Sequence, residues 1–85
     1  MYNPQLDTFI EVADSSSFSK AAERMYITPV SVMNQVNALE KRIGVRLFAR
    51  TNRGVGLTEA GRSFYSDAKR MIAASDEAIE RARKI

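Results

Sequence analysis

The chain has 85 residues, a formal net charge of +3, and neither cysteine nor histidine. This composition excludes disulfides and thiolate chemistry, and the absence of both residue types argues against a transition-metal site and removes the commonest general base. We therefore expect one small domain that is not an enzyme, has no cofactor and mildly favours anionic partners. No signal-peptide pattern begins the chain, and no segment approaches the roughly 20 apolar residues of a membrane span. A cytoplasmic location is the expectation.

The first predicted helix begins near Asn3, which can cap it, with Pro4 in its first turn. Its apolar residues recur at the i, i+3, i+4, i+7 spacing of one helix face. They are Leu6, Phe9, Ile10 and Ala13. The serines from 15 to 17 end this pattern, so the helix should stop there.

A second, shorter helix follows directly. Ser17 can cap it, and its stripe consists of Phe18, Ala21, Ala22 and Met25. The small alanine pair lets another helix cross closely. Tyr26 and Ile27 form a tight turn before the next helix, so the order is that of a helix-turn-helix.

The third helix is predicted over residues 29–43, with Thr28 as its cap, Pro29 at its first position and Gly44 as its left-handed end. At roughly 100° per residue, one face should turn to the core. That face consists of Val32, Val36, Leu39 and Ile43. The opposite face carries Val30, Asn34, Asn37 and Lys41, flanked by Met33 and Ala38. Its asparagine amides suit base edges in a major groove; the alternative is that they are merely solvated.

A basic hairpin is predicted over residues 47–57, where the order is apolar pair, polar turn and second strand. No acidic residue lies between Glu40 and Glu59. The cations in this gap are Lys41, Arg42, Arg46, Arg50 and Arg53. Charge runs are usually solvated, but this one adjoins the candidate recognition helix and can neutralise phosphates.

The last helix should begin at Thr58 and continue to Ile85, about 28 residues or roughly 42 Å. Its apolar side consists of Phe64, Tyr65, Ala68, Met71, Ile72, Ser75, Ile79 and Ala82. The first half can pack on the core, whereas Ile72, Ile79 and Ala82 should extend past it. An apolar stripe in water favours a partner, and the simplest is the same helix of a second chain. The alternative is a frayed, solvated tail.

Taken together, these elements resemble the N-terminal DNA-binding domain of LysR-type transcriptional regulators. The matching segments are the start with Leu6 and Phe9, SFSKAAERM, Leu39-Glu40, Gly44, Leu47-Phe48 with Arg50, Arg53, Leu57-Thr58 and Ala60-Gly61. The resemblance implies a mainly α fold: a winged helix-turn-helix of three helices and a two-stranded wing (1–57), then a long dimerisation helix (58–85). It also implies a larger effector-binding domain beyond this chain, through which alone a small molecule would act.

The recognition helix departs from the family's usual Ser-Gln-Pro-Ala-Val-Ser. Pro29 stands where the base-reading glutamine is usual, Met33 where serine is usual, and Asn34 at a frequent arginine position. The resemblance therefore implies where the DNA-binding surface lies, but not which DNA sequence that surface binds. Our predicted DNA-contacting residues are Thr28, Pro29, Val30, Met33, Asn34, Asn37, Lys41, Arg50 and Arg53. The competing function is a helical dimerisation or protein-interaction module that keeps the helix-turn-helix shape.

Overall fold

A computed structural model describes residues 3–85 as four α-helices and one antiparallel hairpin. In chain order the elements are α1 (Gln5–Ser15), α2 (Phe18–Met25), α3 (Pro29–Ile43), β1 (Phe48–Thr51), β2 (Gly54–Leu57) and α4 (Glu59–Arg83). This is the mainly α, winged helix-turn-helix architecture that the sequence predicts. The first two residues of the predicted 1–57 unit lie outside the described range.

The caps that the sequence predicts for α2 and α3 are present. The hydroxyl oxygens of Ser17 and Thr28 accept backbone N–H bonds from Lys20 and Ser31, each at 3.1 Å. Gly44 ends α3 in the left-handed region at φ +88°. These local signals fix the bounds of α3, which agree with the prediction at both ends.

Helix α1 starts one residue later than predicted, and the Asn3 side chain bonds to its first turn. Asn3 accepts a hydrogen bond from the Gln5 N–H at 2.9 Å through its side-chain oxygen, and the helix proper starts at Gln5. Ser16 adopts a left-handed conformation at φ 54°. The chain therefore leaves α1 and enters α2 within two residues.

The core is centred on Phe9 of α1, which is fully buried. Its ring lies 5.3 Å from that of Phe48 and 5.2 Å from that of Phe64, so one side chain joins α1, the hairpin and α4. The buried apolar residues are Leu6, Phe9, Val12, Ala21, Ala22, Val32, Val36, Leu39, Leu47, Phe48 and Ala68. Because α2, α3, α4 and β2 all pack on α1, its buried side is wider than a single stripe.

Several burial predictions need correction. Val12 and Thr8 are fully buried although neither belonged to the predicted α1 stripe, while Ile10 and Ala13 are only partly buried. Ile43 was predicted in the core but is 40 % exposed. It is the last residue of α3, and the chain turns away at Gly44 directly after it, so its side chain is only partly covered.

The hairpin is short and tightly turned. Phe48 pairs with Leu57 and Thr51 with Gly54, so Asn52 and Arg53 alone form the loop. Gly54 has φ +122°, a conformation that L side chains rarely adopt. Leu47, predicted as the first strand residue, instead lies buried just before β1.

Helix α4 has 25 residues and ends at Arg83, shorter than the predicted 28. Thr58 caps it by accepting the Gly61 N–H at 3.0 Å. Gly61 packs so closely on the hairpin entry that a Cβ there would collide with the Leu47 carbonyl oxygen. The start of α4 is therefore fixed to the body of the molecule.

The first half of α4 covers the core, and the second half leaves it. Phe64, Tyr65 and Ile72 pack against the core and Ala68 is fully buried. Ile72 was predicted to extend past the core, so that prediction was wrong. No described residue after Ile72 belongs to the core, and the molecule measures 51 × 27 × 20 Å.

Candidate nucleic-acid interface

The outward face of α3 is free of contacts that would cover it. Val30 is 64 % exposed, and Asn34, Asn37 and Lys41 are exposed on the same side. Pro29 is exposed at the helix start. The structure thus brings the predicted reading residues onto one surface, as the 3.6-residue period requires.

Two of the predicted residues are less available than the others. Met33 is half-buried. The Thr28 hydroxyl donates to the Ser31 side-chain oxygen at 3.0 Å while accepting the Ser31 N–H. Its hydroxyl is therefore engaged in the cap, and Thr28 acts mainly by holding the N-terminus of α3 in shape.

The exposed surface of α3 has a polarity gradient along the helix. Its first turn contains no acidic residue, and its last turn carries Lys41 and Arg42. The one carboxylate on the helix, Glu40, is only 8 % exposed. Towards solvent, α3 therefore begins with apolar and amide groups and ends with cations.

Glu40 connects α3 to the hairpin. One of its carboxylate oxygens accepts the N–H groups of Leu47 at 2.7 Å and Phe48 at 3.2 Å, and lies 3.6 Å from the Arg46 Nε. A buried carboxylate with two N–H donors and a nearby cation is a satisfied structural group. Sequence analysis assigned Glu40 no such role, although its place four residues after Val36, on the apolar side of α3, was a usable signal.

A second polar contact fixes α3 against α1. The fully buried Thr8 donates a hydrogen bond from its hydroxyl to the side-chain carbonyl oxygen of Gln35. The two residues are 27 positions apart. Helix α3 is therefore held on one side by α1 and at its far end by the hairpin.

The predicted basic patch divides into free and engaged cations. Within residues 3–85, no carboxylate lies within 4.0 Å of the Lys41, Arg42 or Arg53 side-chain nitrogens. Arg46 has its Glu40 contact but keeps 73 % of its side chain exposed. The Arg50 guanidinium carbon lies 4.9 Å from the Phe18 ring centroid, which holds it over α2.

Arg53 at the hairpin tip borders a cleft with the start of α2. This cleft, of about 470 Å³, is lined by Ser15, Ser16, Ser17, Phe18, Ser19, Lys20, Arg53, Gly54 and Val55. Lys20, a neighbour of Arg53 in this cleft, was missed by sequence analysis. A lysine in the first turn of a helix opposes the helix dipole, so its position in the sequence could have singled it out as a candidate.

A second groove, of about 370 Å³, lies at the far end of α3. Asn37 and Lys41 line it together with Glu40, Gly44, Val45 and Arg46. The predicted helix residues Asn37 and Lys41 are thus brought beside a cation of the loop that leads to the hairpin. Both grooves are lined by cationic side chains, Lys20 and Arg53 in the first and Lys41 and Arg46 in the second.

The predicted interface on α4 divides at Ile72. Ala68 is fully buried by the chain itself, and Phe64 and Tyr65 contact Phe9, with ring centroids 5.2 and 6.4 Å away. Ala68 is therefore removed from the predicted interface. The residues of the stripe that keep exposed surface clear of the core are Met71, Ser75, Ile79 and Ala82.

Tyr65 also has a polar contact that fixes α4 to α1. Its hydroxyl donates to the Asp14 carboxylate at 2.6 Å. That hydrogen bond raises the pKa of Tyr65, with smaller contributions from desolvation and from the Asp14 charge. Residues 3–85 contain no cluster of acidic side chains that would hold a metal ion, and none of their helices is long and apolar enough to cross a membrane.

Most of this chain matches the sequence pattern of one protein family. Residues 4–62 match the family described as bacterial regulatory helix-turn-helix protein, lysR family. Among curated proteins, the HTH-type transcriptional regulator BudR of Klebsiella aerogenes is 44 % identical over 77 residues, which are 91 % of this chain and 54 % of BudR. The HTH-type transcriptional regulator TfdT of Cupriavidus pinatubonensis is 42 % identical over 79 residues, 93 % of this chain and 35 % of TfdT.

Solved structures agree over nearly the whole length. A crystal structure of a CbnR_DBD–DNA complex matches with a TM-score of 0.93 and 36 % identity, covering 99 % of this chain and 97 % of that one. A BenM_DBD complex with benA site 1 DNA matches with a TM-score of 0.92 and 28 % identity, covering 99 % and 94 %. The chain spans about half the length of BudR and about a third of TfdT, so the likeness covers one part of those proteins.

Proposed function

This chain belongs to the lysR family of bacterial regulatory helix-turn-helix proteins, and we propose that it serves as the sequence-specific DNA-binding part of a transcriptional regulator. It is a LysR-type helix-turn-helix DNA-binding domain and not an enzyme.

The observation that carries the proposal is the surface of α3. The outward side of its first turns is exposed and uncharged, and its N-terminus is capped by Thr28. Cations without a carboxylate partner follow at its far end. A helix that enters the major groove needs short neutral side chains against the bases and cations where it meets the backbone. Asn34 is central on this face, and its amide can bond the N6 and N7 edge of an adenine.

The hairpin supplies the second contact. Arg53 projects from a two-residue loop with no carboxylate partner within residues 3–85. We propose that it enters the minor groove, where narrow A·T tracts concentrate negative potential. We propose that Lys20, which lines the same cleft, contacts a phosphate. Arg50 contacts another phosphate while its guanidinium lies over the Phe18 ring.

The proposed DNA-contacting set is Lys20, Thr28, Pro29, Val30, Met33, Asn34, Asn37, Lys41, Arg50 and Arg53. We assign residues 1–57 to DNA contact and residues 58–85 to a homodimer formed through the outer half of α4. A two-fold pair would present two copies of α3 to a pseudo-palindromic site. Because bacterial chromosomes lie in the cytoplasm, the proposal places the chain there.

Site selection from a random duplex pool tests the function directly. We expect enrichment of a pseudo-palindromic sequence and an affinity that falls steeply with salt, since about four phosphate contacts per subunit give a log–log slope of several units. A protein-interaction module with a residual helix-turn-helix shape would enrich no sequence and give a slope near zero.

Asn34→Ala locates the reading residue within that experiment. We expect a loss on the order of 1–3 kcal/mol on the preferred site, with one base position relaxed. Lys41→Ala, at the cationic end of the same face, is the matched control and should weaken all sites alike. A selected profile that is the same for Asn34→Ala and the unchanged chain would remove Asn34 from the reading set.

A further inference from the structure

The N-terminal end of α3 has an apolar surface that the fold does not use. Val30 is 64 % exposed, whereas Val32 and Val36 of the same helix are buried. Pro29 is exposed beside it and Met33 is half-buried. We call Pro29, Val30 and Met33 the apolar tip of α3. Single exposed apolar residues are ordinary, but this group occupies the end of α3 that the proposed function directs at the bases.

The apolar tip cannot read bases through hydrogen bonds of its side chains. Valine offers no polar side-chain atom, the methionine sulfur is a weak acceptor, and proline lacks even the backbone N–H. The first turn of α3 contains no acidic residue, and its first basic residue is Lys41, three turns on. The adjacent hydroxyls of Thr28 and Ser31 are bonded to each other in the helix cap, so Asn34 is the nearest polar side chain outside that cap. The specificity of this end must therefore come mainly from apolar contact.

The major-groove edge of DNA presents one apolar group, the C5-methyl of thymine. Resting on the proposed function, we infer that the apolar tip of α3 reads C5-methyl groups of pyrimidines. The ligand class is thus a site with thymine under the start of α3. A 5-methylcytosine carries the same methyl at the same ring position, so it should be recognised in part as thymine is. Covering one methyl changes affinity by a factor of about four.

Replacing thymine by uracil tests the inference, because it removes the methyl and leaves every hydrogen-bonding group of the base in place. The probe is the duplex selected by the 85-residue chain, remade with single deoxyuridine substitutions at each thymine. We expect Kd to rise about four-fold at one or two positions per half-site and to stay constant in the flanks. A cytosine at such a position should bind about four-fold better when it is 5-methylated.

Variants assign the effect to the tip. In the Val30→Ala variant, replacing thymine by uracil should raise Kd less than in the unchanged chain, because the methyl no longer has its contact. The difference between these two uracil penalties measures the coupling between Val30 and the methyl group. Val45→Ala is the matched control: Val45 is also an exposed valine, at 45 %, but follows the C-terminal end of α3. It should leave the penalty unchanged.

The outcomes separate this inference from the function on which it rests. If no sequence is enriched from the pool, the proposed function fails and the inference with it. If a sequence is enriched but uracil at every thymine leaves Kd unchanged, the methyl reading alone is wrong. A penalty that Val30→Ala and Val45→Ala leave equally intact would likewise overturn the assignment to the tip.

Discussion

At the scale of single residues, the arginines of the hairpin have different tasks. The Arg50 guanidinium is held 4.9 Å from the Phe18 ring, while Arg53 stands on a loop of two residues at the edge of an open cleft. A cation over an aromatic face is preoriented but keeps donors free at its edge. Arg50 should therefore contribute a fixed contact, and Arg53 an adaptable one that follows groove shape.

Arg53→Ala should weaken binding most on sites whose flanks contain A·T tracts, because the narrow minor groove of such tracts has an enhanced negative potential that attracts an inserted arginine. The log–log salt slope should fall by about one for each subunit. Titrations on A·T-flanked and G·C-flanked versions of the selected site measure both effects. Arg70→Ala, which removes the same charge from α4, is the control. Equal losses on the two flanks would make Arg53 a plain phosphate contact.

Tyr65→Phe should lower stability by an amount that depends on pH. The Asp14 hydrogen bond raises the pKa of Tyr65 in the folded state, so its contribution is fully present below the unfolded value of about 10 and is lost as pH rises through the folded value. Thermal unfolding at about pH 8 and about pH 11 should show a smaller difference in stability between the two proteins at the higher pH. Tyr26→Phe, which removes a hydroxyl from a 94 % exposed ring, controls for the residue change. A gap of the same size at both pH values would contradict the role given to this bond.

At the scale of elements, Glu40 links α3 to the entry of the hairpin. Its carboxylate satisfies two buried N–H groups at the point where the chain turns from helix to strand. The end of the reading helix is therefore bonded to the start of the wing through a side chain that touches no DNA in our proposal.

Glu40→Ala should cost about 2–4 kcal/mol of unfolding free energy, since it leaves the Leu47 and Phe48 N–H groups without their acceptor. Glu40→Gln keeps an acceptor oxygen and should lose distinctly less. Urea denaturation measures both, with Glu77→Ala as the control: Glu77 pairs with Arg81 on the surface at 3.9 Å, and such pairs contribute about 0.5 kcal/mol. If Glu40→Ala were as mild as Glu77→Ala, the link between α3 and the wing would not depend on Glu40.

The elements themselves were largely predictable, and the reason is local. Thr28, Pro29 and Gly44 set the bounds of α3 through caps that need only neighbouring residues. Contacts between distant segments were not predictable in this way. Thr8 meets Gln35 across 27 positions, Lys20 joins Arg53 only after the hairpin folds back, and Ala68 is buried by elements earlier in the chain. The spacing of apolar residues along the sequence shows which face of a helix is apolar, but not how many other elements will pack on that face.

At the scale of the whole molecule, α4 gives the chain its elongated shape. Its first half is core, since Ala68 is fully buried and Ile72 packs on that core, whereas Ile79 and Ala82 lie beyond it. The half-exposed stripe on the outer part supports a second copy of the chain as its partner. Because Ile72 serves the fold, a test of dimerisation has to act further along the helix.

Ile79→Asp combined with Ala82→Asp should give a folded monomer with much weaker DNA binding, because two carboxylates cannot be buried against the same surface of a partner. Sedimentation at tens of micromolar, near typical weak-dimer constants, reports the assembly. Ala73→Asp, on the opposite side of α4, is the control and should stay dimeric. If the unchanged chain were already monomeric at that concentration, the outer half of α4 would be a solvated tail.

The junction between α4 and the core has a mechanical consequence. From Ile72 to Arg83 the helix continues for about 16 Å without support from the core. This unsupported part can tilt about the last packed turn of α4, where Ala68 is buried and Ile72 packs against the core. A tilt of about 10° at that turn moves the far end by about 3 Å, close to the spacing of about 3.4 Å between successive phosphates along the axis of one DNA strand. In a dimer held at the far ends, small substitutions around Ala68 and Ile72 would therefore retune the distance between the two reading helices.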